Sequence, residues 1–401
     1  MNRANVRILV LDDEPFTLKL HTHMLGEMGF SSAVAFENGL AALKSFDAGT
    51  PPDVILLDLS MPGMDGIEFI RHLVVREFRG ALVLISGEDE RLLQSAAKLV
   101  QAHGIDVLGH LSKPVKPMKL QSLLGSWERR ADDEPRRPGK TYGPDEVRRA
   151  IRNGELISYF QPKVSVMTGE FIGVEALARW QHPQDGLVSP AGFVGVAEEH
   201  GMAEDLTREI AVKGIKAVSA LAGDGMSLQV ALNLSPSALR SIDLADFLAK
   251  EAARHSMAPQ NVMLEITESQ LIADRRAPLD VLTRLRLMRF RLSIDDFGTG
   301  YSSLAQLKDM PFDELKIDRG FVHRAAADRT SRAMYEASLG IAKQLQMKTV
   351  AEGVEDRADW DFVRSTECET AQGYFIGRPM PADALRGWAE TWRDRMVSGV
   401  V

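Results

Sequence analysis

The 401-residue sequence contains one cysteine, Cys368, so no intrachain disulfide can form and a reducing compartment is expected. Long apolar runs are also missing. The stretch 8–11 is far too short for a signal peptide or a membrane span, and no later stretch is long enough. Together these absences predict a cytoplasmic protein with no membrane partner. Nor is there a surplus of positive charge: the formal net charge is -8, whereas a duplex-binding protein usually presents a basic face to phosphates. No DNA partner is therefore expected. An acidic protein can still bind a small phosphodiester when metal ions supply the positive charge. No internal repeat or low-complexity tract is evident.

What is present is ordinary for a globular chain, 45% hydrophobic and 26% charged residues, and the length suggests two domains of unequal size. In the first part, short apolar runs at 8–11, 32–36, 54–57, 81–85 and 106–111 alternate with amphipathic stretches such as 16–28 and 92–100. Continuous apolar strands separated by helices indicate a parallel sheet covered on both faces. The expected fold for residues 1–127 is a flavodoxin-like, doubly wound α/β domain with its chemistry at the carboxyl ends of the strands. Residues 128–143, ERRADDEPRRPGKTYG, are charged, rich in Pro and Gly and without an apolar face, which marks a linker. Alternation then resumes over 144–401. Eight candidate strands (158–164, 171–178, 227–234, 262–267, 291–295, 314–317, 348–351 and 373–376), with helical stretches such as 203–221 and 331–345, suggest a TIM-like (β/α) barrel. No segment is left over for a helix-turn-helix, which argues against a transcription factor.

Four features of the first domain fall at or just past predicted strand ends: Asp12 with Asp13, Asp58, Ser86, and Lys113 with Pro114. Singly, an Asp-Asp pair is a common helix cap and Lys-Pro a common loop. Together at one sheet edge they make a site. Three carboxylates can hold Mg²⁺, the Asp58 carboxylate can accept a phosphoryl group, and the lysine and serine can stabilise its oxygens. LDDEP (11–15), LLDLSMPGMDG (56–66), ISGE (85–88) and LSKP (111–114) resemble the motifs of response-regulator receiver domains across about residues 5–126. The resemblance implies Asp58 as phosphoacceptor and Asp12, Asp13 and Asp58 as Mg²⁺ ligands. It also implies Ser86 and Lys113 as the switch pair and a sensor histidine kinase as phosphodonor. One departure is His110, which stands where such domains usually carry Tyr or Phe three residues before the lysine.

The second domain places Glu175, Asn233, Glu265, Asp295, Asp296, Lys316, Asp318, Glu352 and Gln372 at or near the ends of its candidate strands. A lone acid there usually caps a helix, but so many would repel one another unless cations sat between them. Oxygen donors without clustered Cys or His favour Mg²⁺ or Mn²⁺ over zinc. Two such ions suit phosphodiester hydrolysis, with Lys316 adding fixed positive charge and Glu352 accepting a proton from water.

EALAR (175–179), NLS (233–235), EITES (265–269), DDFGTGYSSL (295–304), KID (316–318), AEGVE (351–355) and QGYFIGRPM (372–380) resemble the EAL-type cyclic di-GMP phosphodiesterases over residues 144–395. That resemblance implies Glu175, Asn233, Glu265 and Asp295 as ligands of one metal, with Asp295 bridging to a second that Asp296 also binds. It implies Lys316, Glu352 and Gln372 around the water, and Gln161 and Arg179 on the dinucleotide. Glu268 would anchor the DFGTGYSSL loop, with Asp318 also in a loop-anchoring role, and that loop would shape the metal site and a homo-oligomer contact. The implied product is linear pGpG. The alternative is a catalytically silent cyclic di-GMP receptor that signals through protein contacts. Degenerate domains of that kind usually lose these motifs, and none is missing here.

Overall fold

Period-two alternation builds the first sheet. The computed structural model describes residues 3, 6–49, 51–76, 78, 80–87, 93, 96–97, 99–100, 105–133, 142–222, 228–271, 276–298, 307 and 310–399. They fall into two compact units, Met1–Pro138 and Gly139–Val401. In the first unit, strands β1 (Arg7–Leu11), β2 (Ser32–Phe36), β3 (Val54–Asp58), β4 (Ala81–Ser86) and β5 (Asp106–Ser112) lie in the order β2-β1-β3-β4-β5. All their pairings are parallel. Leu9, Leu11, Ile55, Leu57, Leu82 and Leu84 pack into one core, and Ile8, Val10, Val54, Leu56, Val83 and Ile85 into a second. Helices cover both faces, so the central strands read as continuous apolar runs. This is the flavodoxin-like order, whose reversal point lies between β1 and β3. The acidic pair and Asp58 stand at the ends of those two strands.

The helix Pro117–Asp133 runs past residue 128 and so takes up the first six residues of the expected linker. Residues 134–141 of that linker lie outside the described residues. The next helix, Pro144–Arg152, starts with Pro at its first turn, and the Glu146 carboxylate accepts from the Gly143 backbone N–H.

The second unit is a closed eight-stranded barrel. Its strands are β6 (Leu156–Ser165), β7 (Phe171–His182), β9 (Gln229–Asn233), β10 (Val262–Thr267), β11 (Arg291–Phe297), β12 (Glu314–Ile317), β13 (Lys348–Ala351) and β14 (Thr370–Gln372). The order is β6-β14-β13-β12-β11-β10-β9-β7, and β6 also pairs with β7 to close the ring. A short strand β8 (Gly186–Val188) pairs with the far end of β7.

Two expectations are corrected. The first two barrel strands form an antiparallel hairpin with no helix between them, so β6 runs against both its neighbours. The eighth strand is Thr370–Gln372, three residues before the expected 373–376. The apolar run Tyr-Phe-Ile curls into a turn instead, because the Ile376 and Gly377 N–H groups donate back to the Gly373 carbonyl. Gly373 also presses against neighbouring backbone, since a Cβ there would lie 2.2 Å from the Val354 carbonyl oxygen. Among the described residues no helix is long and apolar enough to cross a membrane.

The contact at Gly373 yields a test. Gly373→Ala must displace the backbone of residue 354 and should lower barrel stability by about 1–3 kcal/mol, as overpacking does. Four of the five tryptophans lie in the second unit, so urea unfolding followed by tryptophan fluorescence reports on it. An unchanged midpoint would contradict the close packing.

Candidate active site

The barrel strands bring most of the expected residues to one mouth. Asn233 and Gln372 end β9 and β14, Asp295 and Asp296 lie in the last three residues of β11, and Asp318 and Glu352 follow β12 and β13. Glu175 and Glu265 do not sit at strand ends. Glu175 is mid-strand because β7 runs on to pair with β8, and Glu265 lies two residues inside β10. Gln161, on the reversed strand β6, is directly opposite Glu175.

Lys316 is the centre of the arrangement, 1% exposed. Its Nζ lies 2.8 Å from Glu352 Oε1, 3.0 Å from Asp295 Oδ1, 3.1 Å from Glu265 Oε2 and 3.9 Å from Glu175 Oε2. Burial opposes its charge, but the four carboxylates outweigh burial and push its pKa well above the usual lysine range. Glu175 is fixed further. Asn233 Nδ2 donates to its Oε1 at 2.7 Å and Gln372 Nε2 to its Oε2 at 2.6 Å. Gln372 Nε2 also reaches Gln161 Oε1 at 3.1 Å, and Gln161 in turn donates to the Gly377 carbonyl.

Glu268 Oε2 accepts from the Gly298 N–H at 2.9 Å, at the start of the loop it is expected to anchor. Residues 299–304 of that loop lie outside the described residues. Asp318 caps the short helix Arg319–Val322 by accepting from the Gly320 N–H. Asp296 takes a left-handed backbone conformation, φ 54°, which a short acidic side chain tolerates.

A cavity of about 270 Å³ opens here, lined by Gln161, Glu175, Asp295, Lys316, Glu352 and Gln372. It also touches Arg319, Glu355 and Tyr374, which the sequence analysis did not single out. Arg319 pairs with Glu355 and crosses directly over Gly353, where a Cβ would lie 2.2 Å from its Cγ. The adjacency of Arg319 to the KID motif and the second Glu of AEGVE were the available signals. Arg179 stands off the cavity, half-buried, with its guanidinium 5.6 Å from the Tyr159 ring centre.

The charges are unbalanced in a way that suits a divalent cation. Oxygen atoms of Asp295, Asp296 and Glu352 lie within 4.8 Å of one another. Burial, then Asp295 and Glu175, push Glu352 up to about 8 against the pull of Lys316. Burial, Asp295 and Asp318 push Asp296 up to about 6. For Glu265 burial is outweighed by Lys163 and Lys316, which hold it down to about 2. One buried acceptor, Gln372 Oε1, lacks a hydrogen bond. Oxygen donors of this kind fit a hard cation.

The first unit carries a second acidic cluster. Asp12, Asp13 and Asp58 bring oxygens within 4.8 Å of one another, and Lys113 Nζ lies 2.6 Å from Asp58 Oδ2 and 2.9 Å from Asp12 Oδ2. Burial raises the Asp58 carboxyl, partly offset by Lys113. Ser86 ends β4, fully buried, with its Oγ 3.5 Å from Ser60 Oγ. His110 is half-buried on β5, in register with Leu84.

A barrel with a lysine-centred acidic mouth and a doubly wound sheet with a lysine-paired aspartate define a two-domain α/β protein with an acidic site in each domain. Comparison with known proteins agrees on both. Residues 145–379 match the EAL domain family and residues 8–124 the response regulator receiver domain. The chain belongs to the EAL domain family and carries a receiver domain ahead of it. The cyclic di-GMP phosphodiesterase RocR of Pseudomonas aeruginosa is 36% identical, over 95% of this chain and 97% of that protein. The bifunctional diguanylate cyclase/cyclic di-GMP phosphodiesterase MucR of the same organism is 40% identical over 60% of this chain, which spans 35% of MucR. A solved phosphodiesterase of the MucR type in complex with c-di-GMP superposes with a TM-score of 0.57 at 39% identity, covering 60% of this chain and 98% of that one.

The raised carboxyls give a pH prediction. Unfolded, Glu352 and Asp296 release their protons near 4.5 and 3.8; folded and cation-free, they keep them to about 8 and 6. The folded state then binds more protons, so their contribution to stability falls as pH rises through that window. Calorimetry in EDTA should show the melting temperature dropping from pH 5 to pH 8, less steeply in Glu352→Gln. Mg²⁺ should restore more at pH 8 than at pH 5, because protons compete with it. Identical pH slopes for wild type and Glu352→Gln would contradict the assignment.

Proposed function

We propose that this chain hydrolyses cyclic di-GMP to linear pGpG with divalent cations, under the control of phosphorylation at Asp58. The observation that carries the proposal is Lys316 enclosed by four carboxylates at the barrel mouth. The alignment with RocR across both domains supports it, as does the intact motif set.

On this reading Glu175, Asn233, Glu265 and Asp295 would hold one cation, and Asp295 and Asp296 would help hold a second. Mg²⁺ or Mn²⁺ suits the oxygen donor set. When bound, the cations supply Lewis acidity and offset negative charge on the phosphodiester. Ionised Glu352 accepts a proton from the attacking water, and Lys316 directs fixed positive charge toward the reacting oxygens. Gln372 holds Glu175 in place, Gln161 and Arg179 contact the dinucleotide, and Glu268 and Asp318 fix the flanking loops. Pairing of two chains through the EAL domain belongs to the same reading.

In the receiver, Asp58 takes a phosphoryl group from a sensor histidine kinase. Asp12, Asp13 and Asp58 would hold Mg²⁺ there, and Lys113 and Ser86 would bind the phosphoryl oxygens. The lysine already beside Asp58 supports this, since it can neutralise the added charge.

The test is chromatography of purified protein incubated with cyclic di-GMP and Mg²⁺ or Mn²⁺. Wild type should yield pGpG and Glu175→Ala none; tight binding without product would instead give a binding-only receptor. Asp58→Asn should take up no phosphoryl group from acetyl phosphate, and should lose any rate change that acetyl phosphate causes in wild type. Phosphoryl uptake at the same peptide in Asp58→Asn would overturn the receiver assignment.

A further inference from the structure

Beneath the cavity lies a buried polar group that the proposed chemistry leaves unused. Lys163 on β6 is 6% exposed and its Nζ lies 2.7 Å from Glu265 Oε1, on the opposite oxygen from the one that meets Lys316. Glu314 Oε1 backs the same ammonium at 3.9 Å and accepts from the Ser293 hydroxyl at 3.0 Å. Glu265, Ser293 and Glu314 are level with one another on the adjacent strands β10, β11 and β12, and all are buried. Lys163 itself does not line the cavity, although the Glu265 it holds faces Lys316 there.

Stability does not explain this group. A buried ion pair forfeits much of the hydration of both ions, and apolar side chains of the same volume usually serve as well or better. What the pair does is geometric. With Oε1 held by Lys163, Glu265 presents Oε2, whose contact is the Lys316 ammonium at 3.1 Å, toward the other carboxylates. The count of charge agrees: Lys316 alone faces four carboxylates, and Lys163 is the second ammonium on one of them.

We infer that Lys163 is a positioning residue that, backed by Glu314 and Ser293, fixes and neutralises Glu265 through Oε1 so that Oε2, on the side of Lys316, is presented to a divalent cation. This rests on the reading of Glu265 as a cation ligand. Removing a partner that orients a metal ligand typically costs about tenfold to a hundredfold in metal affinity. Lys163→Met should show a loss of that size, and Lys163→Arg, which keeps a cation in reach of Oε1, should recover most of it.

The experiment is calorimetric titration of Mn²⁺ into the full-length chain without dinucleotide, in an Asp58→Asn background that weakens the receiver's own acidic site. Wild-type Mn²⁺ affinity in a folded Lys163→Met protein would overturn the proposal. Should Lys163→Met fail to fold, the Ser293→Ala/Glu314→Gln double variant replaces it. It leaves the Lys163–Glu265 pair but removes its support, and a severalfold loss is expected, against none if the proposal is wrong. Glu265→Gln separates the two claims. If it binds Mn²⁺ as tightly as wild type, the ligand reading fails. If it binds weakly while Lys163→Met is unaffected, only the role of Lys163 fails.

Discussion

Lys316 is a fully buried ammonium with carboxylate oxygens of four residues between 2.8 and 3.9 Å away, and the rest of the barrel mouth is arranged around that crowding. One buried cation cannot balance four buried anions. The structure answers in three ways. Lys163 takes a share of Glu265 from below. Asn233 and Gln372 donate hydrogen bonds to Glu175. Glu352 keeps its proton up to about 8, its ionisation opposed chiefly by burial. Each is a partial substitute for positive charge, and together they describe a mouth suited to divalent ions.

Topology makes the crowding possible. Parallel strands β7 and β9 to β14 aim their polar residues at one end, as barrels of this type do. The antiparallel strand β6 breaks the pattern and places Gln161 and Lys163, two residues apart on one face, at two depths of the same interior. Gln161 lines the cavity, and Lys163, which does not, meets Glu265. In the receiver the same economy appears on a smaller scale, where Lys113 bridges Asp12 and Asp58 at the point where strand order reverses.

Much of this was legible from residue order. Strands 32–36, 262–267, 314–317 and 348–351 are found at their expected bounds, because short, largely apolar segments between helical stretches leave few alternatives. The strand expected at 373–376 failed because Tyr-Phe-Ile looks like a strand in isolation, while the backbone contact between Gly373 and Val354 is a tertiary fact. The hairpin of β6 and β7 was hidden by the assumption that a helix separates barrel strands. The mouth residues were visible as motif acids. Lys163, Glu314 and Ser293 were not, since a Lys or a Ser within an apolar strand carries no motif, and their pairing depends on strand register. Glu175 was expected near a strand end and lies mid-strand, because sequence does not reveal that β7 runs on to His182 to pair with β8.

The central claim is that the crowded carboxylates hold protons that a divalent cation displaces. The most direct measurement is calorimetry of Mn²⁺ binding at pH 7 in buffers of different ionisation enthalpy, which counts protons released. The account predicts net release from the wild-type chain and a smaller release from Glu352→Gln, because Glu352 is still largely protonated at that pH. Binding without proton release, or equal release from both proteins, would contradict it.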